Sequence, residues 1–138
     1  MKLENQVCSL ELANKLKELG VPQTSLYFWV QQKGQNPAVI SRSKAKRILS
    51  WHKQIVSAFT SAELGEMLPY TIVAVASGEE SKDTWYLAVN KAREWWNVEY
   101  SNLLNDIYTQ ASEDTEADAR VKMLIYLLEN NLITSNKE

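Results

Sequence analysis

Thiols, imidazoles and chain-breaking residues are all scarce in this chain, and each shortage closes off a class of function. Among 138 residues there are four glycines, three prolines, one cysteine and one histidine. A lone Cys8 forms no disulfide within the chain, so the expectation is a reducing, cytosolic compartment. Cys8 and His52 cannot together build a common zinc site. They leave one formal nucleophile–base pair, Cys8 with His52. Cys8 just ahead of a helix is a place where a thiol pKa can fall, and the competing reading is a small buried hydrophobe. Gly20, Gly34, Gly65 and Gly78 form neither a G-x-G nor a G-x-x-x-x-G-K arrangement. That excludes the P-loop and dinucleotide-binding fingerprints. No apolar run is long enough to span a bilayer, so no membrane partner is expected. Residues Met1 to Gln6 carry no apolar stretch, so no secretory signal is expected either. Fifteen Lys and Arg stand against seventeen Asp and Glu, a net charge of −2. That balance argues against a generally basic protein that coats nucleic acid. The expectation is therefore no catalytic residue, no metal and no cofactor.

What is present is apolar residues throughout, at 45%, and five tryptophans. A chain of this length buries roughly two-thirds of its unfolded surface, and one domain over residues 1–138 is expected. A helix is expected from Ser9 to Leu19, with Ser9 capping its start and Gly20 and Pro22 ending it. Leu26-Tyr27-Phe28-Trp29-Val30 reads as a strand, central in its sheet because both faces are apolar. Gln31 to Pro37 is a polar loop around Gly34. Ser41 to Gln54 reads as a short helix, and Ile55, Val56 and Phe59 as a short strand. Thr60-Ser61-Ala62-Glu63 is a capping box that opens a helix stopped by Pro69. Tyr70 to Ala76 is a further strand. Trp85–Val89 and Trp95–Tyr100 read as a hairpin turning over Asn90 to Arg93. Thr115 caps a last helix with Val121, Leu124, Ile125, Leu128 and Leu132 toward the core, ended at Asn130-Asn131. Strands cluster without βαβ alternation. The fold class is α+β: an antiparallel sheet with a β-hairpin, covered by N-terminal and C-terminal helices.

Three stretches, taken together, resemble a known group. They are Val7-Cys8-Ser9-Leu10-Glu11-Leu12-Ala13-Asn14-Lys15-Leu16-Lys17-Glu18-Leu19-Gly20, then Ser57 to Pro69 (SAFTSAELGEMLP), then Thr115 to Asn130 (TEADARVKMLIYLLEN). In this order they resemble a family of small proteins encoded by bacteriophages and prophages. The resemblance implies a phage or prophage origin and residence in the host bacterial cytosol. It carries over no catalytic residue.

Two regions stand out as candidate binding surfaces. From Ser41 to Gln54 there are five formal positive charges and no acid, in a chain whose net charge is negative. Arg42, Lys46, Arg47, His52 and Lys53 with Trp51 are the kinds of group that grip a phosphate-bearing ligand and stack on its base. The competing reading is a solvated helix face with Trp51 in the core. Arg47 and Trp51 share a face whether the segment is helix or strand. The second region is the hairpin, where an exposed Trp85 or Trp95 would mark a partner or self-association surface. The acids Glu113, Asp114, Glu116 and Asp118 lack the spacing of a calcium loop and read as solvated charges at a helix start. Two functions follow as expectations. One is a non-catalytic phage accessory protein that binds a host or phage protein, or itself as a homo-oligomer. The other is a binder of a nucleotide-type ligand or single-stranded nucleic acid.

Overall fold

The computed structural model describes residues 2–32, 34–48 and 55–134. Among them are four α-helices and two antiparallel sheets. The architecture is α+β, as expected from the clustering of strands. It splits the expected single sheet into two.

Helix α1, Leu10–Glu18, opens the chain after a single 3-10 turn. It ends as its glycine demands. Gly20 takes φ 88, where a Cβ is costly, and the amides of Gly20 and Val21 bond back to Lys17 and Leu16. Ser9 behaves differently from expectation. Its hydroxyl makes no capping bond, and its main-chain N–H instead donates to the Asp118 carboxylate at 2.7 Å.

Strand β1, Tyr27–Val30, is central between β2, Ala38–Ser41, and β3, Ile55–Ala58. Strand β2 is not anticipated in the sequence: it begins just past the polar loop that ends at Pro37 and takes in Ser41, where a helix is expected to start. Helix α2, Arg42–Ile48, follows β2 directly and packs back on this sheet through buried Ala45. Helix α3, Ser61–Met67, carries the capping box in full. Glu63 N donates to Thr60 Oγ1 at 3.2 Å, and Thr60 N donates to Glu63 Oε1 at 2.9 Å. Thr60→Ala should therefore lower stability by about 1 kcal/mol, with Thr60→Gly milder. Urea midpoints measured for both variants check this; an unshifted Thr60→Ala midpoint would contradict it.

The second sheet runs β4, Thr71–Ala74, β5, Asp83–Lys91, β6, Trp96–Ser101, and β7, Ile107–Glu113, in that order. The hairpin between β5 and β6 turns two residues later than expected. Strand β5 continues through Lys91, and Ala92 N bonds Trp95 O across the turn. Trp95 therefore belongs to the turn rather than to a strand face.

Helix α4, Glu116–Glu129, packs against β6, β7, α1 and α3. Its buried residues, from Ala117 to Leu127, cover roughly two-thirds of its circumference at 100° per residue. The sequence stripe anticipates only part of that. Leu124 is buried as expected, whereas Leu128 is half-buried beside a surface cavity of about 280 Å³. Asn131, at φ 57, stops the helix, and Leu132 N returns to Leu127 O at 2.9 Å. Gly65 in α3 faces this helix. A Cβ there would collide with an Arg120 guanidinium nitrogen, whose side chain is held by Glu116. One continuous core joins residues of both sheets with α1, α3 and α4. Among the described residues no helix is long and apolar enough to cross a membrane.

Candidate anion-binding pocket

Strand alternation puts Phe28, Ser57 and Ile55 on the face of the three-stranded sheet away from Trp29 and Val56. Helix α2 covers only part of that face. The remainder is a pocket of about 560 Å³ lined by Lys17, Gln23, Thr24, Phe28, Arg42, Ala45, Lys46 and Ile55. Phe28, Ala45 and Ile55 supply apolar wall. Lys17, Arg42 and Lys46 supply three positive charges, and no acid among the described residues lines the pocket.

Two of those cations are held in place by main-chain carbonyls. Arg42 Nε donates to Ser25 O and its Nη2 to Thr24 O, both at 2.9 Å. The fork is thereby preorganised, with further N–H groups left to donate. Lys17 Nζ donates to Ile55 O at 3.4 Å, and Gln23 Oε1 accepts from Ser57 N at 2.7 Å. Both side chains thus close the outer edge of β3. Ser57 Oγ lies on the same sheet face, between two lining residues, fully buried and without a hydrogen-bond partner among the described residues. A buried hydroxyl left unpaired is costly, and Ser57 itself does not line the pocket.

Of the residues expected to bind, Arg42 and Lys46 converge on this pocket. Arg47 is exposed and does not line it. Trp51, His52 and Lys53 lie outside the described residues, and so does the expected pairing of Arg47 with Trp51. Trp95 is half-exposed at the hairpin turn. Trp85 corrects the expectation. Its indole is 3% exposed, donates Nε1–H to Ala74 O at 3.1 Å, and packs 5.4 Å from the Tyr108 ring. Even-numbered positions of β5 face away from the core, so Trp85 faces inward and offers no face to a partner. Lys17, Gln23 and Phe28 were not anticipated, because they come from α1, the loop after it and β1, all remote in sequence from the basic segment.

Other titratable groups serve packing. Cys8 is fully buried, and burial pushes its thiol up to about 12, so it is not a nucleophile in the folded chain. Tyr108 is raised to about 12, chiefly by its hydrogen bond with Tyr126 and then by burial. Burial raises Asp118, against the opposing pull of the Ser9 N–H. Lys122 is raised by its bond to Glu113, and Glu116 pairs with Arg120 at 2.5 Å. Three of the four clustered acids thus have local partners. Among the described residues no three His, Cys, Asp or Glu side chains converge as metal ligands. No family model, curated protein or solved structure matches the chain.

Proposed function

We propose that this chain is a non-catalytic binding protein and that the pocket beside α2 holds an anion with a planar or apolar body, of the nucleotide type. The observation that carries the reading is three cations and, among the described residues, no acid around a wall of Phe28, Ala45 and Ile55. Cations grip phosphate oxygens, and an aromatic wall accepts a base. A phage or prophage origin, implied by the three sequence stretches, gives the reading a setting: an accessory protein of the host cytosol that captures a molecule without altering it.

A direct test begins with the absorbance ratio at 260 and 280 nm before and after denaturation, which reveals co-purified nucleotide. ATP is then titrated by calorimetry into stripped protein. Saturable binding is expected, with loss of at least tenfold in affinity in Lys17→Gln with Lys46→Glu and little change in thermal midpoint, because both side chains are exposed. Absence of binding to ATP, AMP and inorganic phosphate would overturn the reading.

A second reading, docking to a host or phage protein or to itself, draws on one patch. Leu103 and Leu104 are 84% and 81% exposed. The strand register places Val73, also exposed, toward the same end of the sheet. Apolar side chains gathered at one end of a sheet are a feature of association surfaces.

A further inference from the structure

The described sheets have four outer edges, and three are blunted. Strands β2 and β4 are four residues each and follow Pro37 and Pro69 closely. Strand β3 has its outer Ile55 carbonyl and Ser57 amide taken by the Lys17 and Gln23 side chains. Edges are hazards, and short length, proline and side-chain cover are the usual protections.

Strand β7 is different. It is seven residues long, contains no proline or lysine, and pairs only with β6; one register shift, at Tyr108 near its start, leaves Thr109–Glu113 as a regular, unprotected edge. Alternate residues of an antiparallel strand direct N–H and C=O to opposite sides, so about half of β7 presents both groups outward. No side chain of the described residues is bonded to its main chain. Beyond that edge lies a groove of about 840 Å³, walled by α1 on the far side and floored by α4. Leu12, Met123, Ile125 and Tyr126 give it an apolar base.

The charges on the groove are arranged. Lys15 bonds Glu129 at 3.2 Å, and Lys122 bonds Glu113, so both lysines are neutralised. Glu11 and Glu18 stand on one stripe of α1 with Lys15, facing the groove; Glu11 feels the charge of Lys122 across it, and neither acid makes a salt bridge among the described residues. A free strand edge, an apolar floor and an unpaired acidic wall complement one kind of occupant. We infer that β7 and α1 together form a docking groove for an extended, basic segment of a partner protein, which adds to this four-stranded sheet as a fifth strand. Main-chain bonds to β7 would hold the segment, alternate apolar side chains would rest on α4, and lysine or arginine would meet Glu11 and Glu18. A second copy of this chain fits less well, because its own β7 brings another acidic α1 wall to the same seam. The inference is independent of the anion pocket, which lies on a different face of α1.

The test uses the whole chain and a fluorescein-labelled Lys-Val-Lys-Val-Lys-Val-Lys peptide, with Glu-Val-Glu-Val-Glu-Val-Glu as its counterpart. Saturable binding is expected for the basic peptide, at least tenfold tighter than for the acidic one. Glu11→Gln with Glu18→Gln should weaken it severalfold, and Glu11→Lys with Glu18→Lys at least tenfold. Amide exchange should slow at alternate residues of 107–113 when the basic peptide is added. Equal affinity for the two peptides, or unaltered exchange along β7, would overturn the inference. So would sedimentation showing a dimer in which 107–113 is already protected without peptide, since a second copy would then hold the edge.

Discussion

Replacing Trp85 by alanine should destabilise the chain by about 3–5 kcal/mol, the range for truncating a large buried aromatic. Three losses combine. The indole is almost wholly removed from water and touches Tyr108, so its deletion leaves a hole in a packed interior. Its N–H bond to Ala74 O disappears, leaving a carbonyl of the neighbouring strand without that donor. The chain Trp85–Tyr108–Tyr126, which ties β5 to β7 and α4 through successive ring contacts, loses its first member. Trp85→Phe retains much of the volume and should cost less, isolating the contribution of the N–H group. Urea denaturation of the three proteins measures this. A loss below about 1 kcal/mol for alanine would mean that the ring is not part of the closed core. Domains are stable by only about 5–15 kcal/mol, so the expected loss is a large share of the total.

Leu124→Ala is expected to cost about 2–5 kcal/mol. Leu124 is 2% exposed on the most deeply packed helix of the molecule. Its position also indicates where in the range the value falls. Leu124 borders the surface cavity that Val21, Pro22, Met67, Leu128 and Ile133 line. The space left by truncation can merge with that opening and admit water, so the cost should lie in the lower half of the range. Leu127→Ala, at a fully buried site away from that cavity, should cost more. Equilibrium denaturation of both variants under one set of conditions gives the order. If Leu124→Ala is the worse of the two, the cavity does not relieve it.

Elements with a strong local signal are legible in the sequence. Gly20, the Thr60–Glu63 box, Thr115 and Asn131 all mark helix ends through bonds that involve neighbours in sequence. The central place of β1 follows from Tyr27, Phe28, Trp29 and Val30 being apolar on both faces. Strand β7 is not legible, because only Ile107, Tyr108 and Thr109 favour extended structure and the run then passes into Gln110, Ala111, Ser112 and Glu113, which do not. They become a strand by pairing with β6, a tertiary effect. Strand β2 is obscured by its brevity and by the polar loop before it. Trp85 is misjudged because periodicity gives the faces of a strand without saying which face is covered. The pocket is half legible: a run of cations draws attention to Arg42 and Lys46. Lys17 and Phe28 join them only when α1 and β1 are brought together.

The bond from Ser9 to Asp118 spans 109 positions of sequence. On the ribosome, α1 therefore emerges long before the helix it leans on. At about 5–20 residues per second, roughly 5–20 s of synthesis separate the two. During that interval the α4-facing side of α1 and the inner face of β6 have nothing to cover them. Closure of this core must wait for α4, and a nascent chain halted before α4 would present sticky surface to whatever chaperone or protease meets it first.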